Sequence, residues 1–299
     1  MASPPGGPEG ILLVDKPAGW TSHDVVAKAR RLCGQRRIGH TGTLDPMATG
    51  LLVLCLGRAT RLVEYMAGHD KAYEGEIVLG ATTGTDDAEG QVIGRAEVPQ
   101  VDDGTLRGLE QRFSGRLSQR PPAYSAIKVG GKRAYAVARS GGTVDLPERE
   151  IVIHRLELEL VAPDRLRVRV ECGAGTYVRS LARDVGEALG CGGHLAALRR
   201  HRAGPFAVGQ AVTLDVLADL VAAGRLELVL LPPDEGMLDR PAAIVEASRA
   251  RLLAHGMALE VTPGVSAEGP LRVYDTGGAF TGVGQLAAGT LRAGKILAV

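Results

Sequence analysis

Cysteine pairs, aromatic clusters, long apolar runs and a large net charge are all missing from this chain. Its four cysteines, Cys33, Cys55, Cys172 and Cys191, stand far apart and form no C-x-x-C pair. That spacing excludes a zinc ribbon or a redox dithiol. The cysteines are expected to be free thiols in a reducing cytoplasm, not a disulfide frame. One Trp and three Phe beside six Tyr are too few for a wide stacking platform for single-stranded RNA. No apolar run approaches membrane-spanning length. The opening MASPPGGPEG lacks the basic and apolar regions of a signal peptide, and residues 1–10 are expected to form a short disordered tail. The formal net charge is +1 over 299 residues, so no global field attracts a polyanion. Any such site must come from local clusters of base.

What is present is the composition of a globular protein, 45% hydrophobic and 23% charged. ILLV at 11–14 and LLVLCL at 51–56 predict short buried strands. TSHDVVAKARRLCG predicts a helix capped by Thr21 or Ser22 and ended by Gly34. In KAYEGEIVLG, Tyr73, Gly75, Ile77 and Leu79 alternate with Glu74 and Glu76, which places Tyr73 on the apolar side of a strand. RLELELV and RLRVRVEC alternate in the same way. GTYVRSLARDVGEALG turns sharply into a helix. Strands and helices mix without a regular βαβ rhythm, so the fold class is α+β. LPPDEG at 231–236 marks a boundary, and the residues beyond it suggest a small β-rich module.

One stretch stands apart. RRIGHTGTLDPMATGLLVLCLG, 36–57, holds a single carboxylate, Asp45, in a loop rich in glycine and threonine. An Asp-Pro pair is by itself a turn signal. Here Gly39, Gly42 and Gly50 allow close approach of another molecule to the backbone. Thr41, Thr43 and Thr49 offer hydroxyls, and Arg36, Arg37 and His40 offer positive charge to a phosphate. An ionised carboxylate in such a loop can act as nucleophile or base on an electrophilic carbon. Other candidates fail on spacing. GTDDAEG does not fit a calcium loop, GAGTY lacks the Lys-Ser/Thr of a phosphate loop, and His23, His69, His154, His194 and His201 share no metal-ligand spacing.

GHTGTLDPMATGLL closely resembles the catalytic stretch of TruB-type tRNA pseudouridine synthases. GILLVDKPAGWTSHDVV, KAYEGEIVLGATTGTDDAEG, RPPAYSAIKVGGKRAY, GTYVRSLARDVG and GGHLAALRRHRAGPF resemble further motifs of that family, in the family's order. The resemblance implies conversion of the T-loop uridine, tRNA position 55, to pseudouridine. It implies that Asp45 attacks the target nucleoside or otherwise initiates glycosidic cleavage, that Tyr73 stacks on the flipped uracil and aids proton removal from C5, and that Arg179 pairs with the aspartate. Tyr177 and Leu198 match pocket-wall residues, Lys16 matches a motif lysine near the site, and His40 matches a histidine touching the flipped-out RNA. Gly42 and Thr43 are carried with them as substrate-binding positions. Two basic groups, Lys128, Lys132, Arg133 and Arg139 in a long insertion (about 120–145) and Arg199, Arg200 and Arg202 in a loop-rich segment, are expected to contact phosphates.

The expected architecture is a mixed, mainly antiparallel sheet with flanking helices over 11–235 and a PUA-like module over 240–299. The reaction involves neither redox chemistry nor hydrolysis, so no metal or cofactor is expected. A monomer acting on the T-arm of tRNA, without membrane or obligatory protein partner, is the working expectation. Two rivals stand beside it: a guide-dependent synthase acting on ribosomal RNA, and a non-catalytic RNA-binding or tRNA-folding protein.

Overall fold

The computed structural model describes residues 7–125, 128–129, 132–134, 146–261 and 268–297. The first half of the chain supplies β1 (Gly10–Lys16), β2 (Ile38–His40), β3 (Thr49–Leu56), β4 (Lys71–Leu79), β5 (Ala81–Thr83), β6 (Val92–Arg95) and β7 (Gly115–Gln119). Next come β8 (Lys128–Val129), β9 (Lys132–Arg133), β10 (Arg149–Ala162), β11 (Arg165–Cys172), β12 (Gly193–Ala203), β13 (Phe206–Ala207) and β14 (Leu230–Leu231). The C-terminal part holds β15 (Ala242–Val245), β16 (Leu259–Glu260), β17 (Gly269–Asp275), β18 (Phe280–Ala287) and β19 (Thr290–Ile296).

Ten strands form one sheet in the order β14-β1-β3-β12-β4-β11-β10-β7, with β2 on β3 and β13 on β12. Every pairing is antiparallel except β3 with β12, which joins the two halves in parallel at Thr49–Arg199 and Gly50–Arg200. The α+β expectation and the mainly antiparallel sheet therefore hold.

Local signals account for the helices. Thr21 caps the helix Ser22–Cys33 in a reciprocal box with Asp24, and Gly34 closes it in the left-handed region. Val25, Val26 and Ala29 face inward from this helix, and Val178, Leu181, Ala182 and Val185 from the helix Val178–Ala188. Both helices cover one sheet face, over Leu12, Val14, Leu52, Leu54, Ile77, Val168 and Val170. The opposite face divides in two. Over β10, β11 and β4 it carries cross-strand ion pairs such as Arg169–Glu74 (3.0 Å) and Arg167–Glu159 (2.8 Å). Over β1 and β3 it is apolar and covered.

The cover is the C-terminal part. Its five strands run in the order β15-β17-β18-β19-β16, with a core around Leu253, Leu271, Val273, Leu286 and Leu291. Val283 and Leu297 also join Ile11, Leu13, Leu51 and Val53 in a shared cluster. Arg58 Nη1 donates to Leu297 O (2.6 Å) and Arg61 Nη1 to Ile296 O (2.6 Å). Lys295 pairs with Glu64 at 3.1 Å.

Two sequence expectations change. Gly10 already belongs to β1, Gln35 Nε2 donates to Pro8 O (3.3 Å) and Arg58 pairs with Glu9 (2.7 Å), so the described end of the tail is packed. The segment around Arg199, Arg200 and Arg202, expected to be loop-rich, is the central strand β12. Register shifts between Leu195 and Ala197, and between Arg200 and Arg202, interrupt its period-two alternation and hide the strand in the sequence.

Candidate active site

The loop carrying Asp45 spans the gap between β2 and β3. Ser22, 1% exposed, pins it from below: its hydroxyl accepts from Leu44 N (2.8 Å) and donates to Leu44 O (3.0 Å). Leu44 and Ala48 are buried, and Ala48 N donates to Asp45 O (3.1 Å), closing a turn. The Asp45 backbone is fixed while its carboxylate remains 34% exposed at the mouth of the site.

Arg179 meets that carboxylate from the helix Val178–Ala188. Its Nε lies 2.9 Å from Asp45 Oδ2, and its Nη2 donates to Oδ1 at 3.1 Å. The guanidinium is 5% exposed and also donates to Thr85 O and Tyr124 O, both at 3.0 Å. The one charge-assisted hydrogen bond, from Nη2, fixes direction, and the close Nε contact adds charge. The pair also answers the electrostatic objection to an arginine in the first turn of a helix.

Sequence reading missed what lies behind Arg179. The turn GTDDAEG, expected to be only a turn, inserts Asp87, which is 4% exposed and lies 3.5 Å from Arg179 Nη1. Asp87 also accepts from the Thr85 hydroxyl and from Glu89 N. Its neighbour Asp86 takes Arg183 Nη1 at 2.8 Å. The signal was two acids in the turn matching two arginines four residues apart on one helix, Arg179 and Arg183.

Lys16 is fully buried and donates to Pro17 O (2.9 Å), Trp20 O (2.6 Å) and Pro46 O (3.2 Å). Burial lowers its pKa to about 8, against the pull of Asp45 and Glu89. It therefore ties β1 to the residue after Asp45. His40 is half-buried and meets the exposed His23 ring edge-on, centroids 5.8 Å apart. Burial, with the charges of His23 and Arg200, pushes its pKa down to about 4, so the imidazole is neutral at physiological pH. Tyr73 is half-buried on β4, and burial raises the pKa of its phenol.

Three family models cover the chain in succession. TruB family pseudouridylate synthase (N terminal domain) matches residues 30–178, tRNA pseudouridylate synthase B C-terminal domain 179–237, and Pseudouridine synthase II TruB, C-terminal, 241–296. A tRNA pseudouridine synthase B of Xanthomonas campestris is 46% identical over 92% of this chain and 89% of its own length. The chain belongs to the TruB family of pseudouridylate synthases. A tRNA pseudouridine synthase B of Thermobifida fusca is 48% identical over 83% of this chain and 85% of its own. A solved structure titled as an H/ACA RNP bound to a substrate RNA containing 2'-deoxyuridine shares the fold, with a TM-score of 0.74 at 22% identity over 99% of this chain and 91% of that one.

The remaining expected positions of this TruB-family chain divide into three groups. Tyr177 and Leu198 stand at the start of the helix Val178–Ala188 and on β12. Tyr177 exchanges two backbone hydrogen bonds with the Gln119 amide (2.9 and 3.0 Å) and holds Arg149 over its ring at 4.5 Å. Leu198, 9% exposed, is part of the core beneath. Gly42 and the exposed Thr43 sit at the loop surface.

The β12 arginines behave differently from a free phosphate-binding run. Arg200 is 2% exposed, with its guanidinium on backbone carbonyls, so it is an internal brace and not a phosphate contact. Arg199 is paired with Asp15 (2.7 Å) and Arg202 with Glu171 (2.7 Å), each 39% exposed. Arg199 and Arg202, three residues apart across the register shift after Arg200, are partly exposed while Arg200 is buried. The side chains of Lys128, Lys132 and Arg133, and all of Arg139, lie outside the described residues. Lys128–Val129 and Lys132–Arg133 pair as an antiparallel hairpin. Among the described residues no cluster of His, Cys, Asp or Glu could hold a metal, and no helix is long and apolar enough to cross a membrane.

Proposed function

We propose that this chain isomerises the T-loop uridine of tRNA, position 55, to pseudouridine in the cytoplasm, as a monomer without a protein partner. In this reading residues 11–235 carry the chemistry and 240–299 form a PUA-like module that adds contacts to the RNA. The observation that carries the proposal is the partly exposed Asp45 carboxylate gripped through both oxygens by the buried Arg179.

A base stacked in the loop cannot reach Asp45, so the nucleotide must be everted first. The neutral His40 ring at the loop suits contact with the RNA at the vacated position, because a neutral imidazole can accept a hydrogen bond or stack without ion-pairing. With the nucleoside in place, Arg179 holds the Asp45 carboxylate aimed, which supports its attack. The C1'–N1 bond breaks with its electron pair on the uracil, the uracil turns between the Tyr73 ring and the Leu198 wall, and C5 bonds to C1' as any bond formed by the Asp45 oxygen breaks and the carboxylate is released. The C5 proton then leaves and N1 gains one. Atoms and electrons balance without a redox partner. The loop would be recognised by shape and phosphates more than by a long base code.

The test is Asp45→Asn on a T-arm stem-loop carrying 5-tritiated uridine. Tritium release should vanish, while filter binding stays within about threefold because affinity rests mainly on cation–phosphate contacts. Retained release would make Asp45 a turn residue. Lost binding by a folded variant would favour the reading of a site that organises RNA without chemistry.

A further inference from the structure

Among the described residues Arg200 is the largest fully buried side chain. Its Nε donates to Leu51 O (2.7 Å), Nη2 to Gly42 O (3.0 Å) and Nη1 to Thr43 O (3.4 Å). These carbonyls stand on both sides of Asp45 in the chain, so one guanidinium spans the catalytic loop. None of these acceptors is a carboxylate. A buried cation without an anionic partner is costly, and neutral amide donors would serve a loop brace equally well. The charge itself therefore calls for a use.

The sheet register indicates one. Arg200 is the direct partner of Tyr73 across the β4–β12 ladder. On its other side it pairs with Gly50, whose φ is +97° and where a Cβ would lie 2.4 Å from Arg200 O. The close strand approach at Gly50 seals the arginine beneath the loop. As direct partners on neighbouring antiparallel strands, Arg200 and Tyr73 project from the same face of the sheet with Cβ atoms about 5 Å apart, and the arginine's charge favours the phenolate.

We infer that Arg200 is a positioning residue for Tyr73: in the RNA complex it donates to the phenol oxygen and stabilises the phenolate that takes the C5 proton. This rests on the role of Tyr73 proposed above. The phenolate accepts the proton from C5, the C5–H electron pair restores the C5–C6 double bond of the ring, and the phenol is recycled by giving its proton to solvent. Other groups oppose Arg200. Burial raises the phenol, as do the Cys172 thiol on β11 and Asp45 on the loop, and Arg200 alone pulls it down. Lys71, on the same strand, turns its ammonium to Ala67 O and His69 O.

The experiment compares wild type, Arg200→Met, Tyr73→Phe and the double variant in single turnover at saturating T-arm stem-loop from pH 6 to 10. Arg200→Met should lower the rate at pH 7 by ~30-fold, within the usual range for loss of proton-transfer catalysis. Its rising limb should move up by about one pH unit, since the phenol loses its favourable charge. RNA affinity should stay within about threefold, because Arg200 is no phosphate contact. The double variant should be no slower than Tyr73→Phe. In protein labelled at the tyrosine ζ-carbon, the resonance absent from Tyr73→Phe should titrate at higher pH in Arg200→Met. An unmoved limb and resonance, or an equal cost of Arg200→Met in the Tyr73→Phe background, would reduce Arg200 to a brace. A wild-type rate in Tyr73→Phe would instead overturn the role of Tyr73. If Arg200→Met does not fold, Arg200→Lys decides. A lysine cannot reach all four acceptors, so its limb must also rise, and a wild-type profile overturns the inference.

Discussion

Asp45 and Arg179 meet through two nitrogens and two oxygens, Nε to Oδ2 at 2.9 Å and Nη2 to Oδ1 at 3.1 Å, although 134 residues separate them in the chain. The arginine is buried and the aspartate is partly open, so the cation serves as the fixed member and the acid as the working one.

Asp87 is the outer partner of this pair, 3.5 Å from Arg179 Nη1. Asp87→Asn keeps the shape of the turn but removes the charge behind the guanidinium. Arg179 should then settle differently on Asp45, and the single-turnover rate should fall ~10–100-fold with RNA affinity unchanged, as expected when a buried charge network loses one member. A fall of less than twofold would limit Asp87 to forming the turn.

His40 should make the fold acid-sensitive. Its pKa is pushed down to about 4, chiefly by burial, from an ordinary 6.5. Between those values the unfolded chain binds the proton and the folded one does not, so stability is lost as pH falls from about 6.5 toward 4. At pH 5 the loss from this group is about 1–2 kcal/mol relative to pH 8. Urea unfolding of His40→Asn should show a correspondingly smaller drop; parallel curves for the two proteins would contradict the assignment.

Lys16 works at the other end of the scale. Its folded pKa of about 8 lies below the ordinary 10.5, chiefly through burial. From about pH 8 to 10.5 the unfolded chain holds more protons, so this group adds stability as pH rises. The gain by pH 9.5 is about 2 kcal/mol over pH 7. Lys16→Met leaves three carbonyls without their donor and should be destabilised at every pH. Its deficit against wild type should widen by that amount in alkaline buffer. A constant deficit in denaturant titrations at pH 7 and 9.5 would show that the ammonium titrates normally.

Deleting residues from 240 onward should weaken tRNA binding more than it slows saturated single turnover, because the described active-site groups all lie before residue 240. The structure adds a cost in stability, since Val283 and Leu297 leave the cluster around Ile11 and Val53. The truncated chain should melt earlier and bind a hydrophobic dye. A large drop in the saturated rate, with the remainder still folded, would place part of the C-terminal module in the active site.

The sequence announced the elements whose physics is local. Thr21 and Gly34 bracket a helix, and the alternation in KAYEGEIVL and RLRVRVEC sets the faces of β4 and β11. The pairing of Asp45 with Arg179 was legible only through the family motifs, since nothing local joins position 45 to 179. Arg200 was misread because RRHR has the look of a solvated run, and only the parallel junction at Gly50 turns its middle member inward. Asp87 was hidden because a turn sequence does not reveal what its side chains face. Both errors concern charges whose partners are distant in the chain.

The parallel junction between β3 and β12 also bears on the order of folding. Strand pairs such as β10 with β11 close short loops and can form early, whereas Thr49 must find Arg199 across 150 residues. Long-range pairings of this kind form slowly because the chain entropy of closing the loop is lost before the contacts are gained. The Asp45 loop, which leads into β3, meets β12 and its Arg200 only once that junction has closed. A chain arrested before it would hold native-like hairpins but no catalytic centre, so recovery of activity during refolding should lag behind recovery of secondary structure.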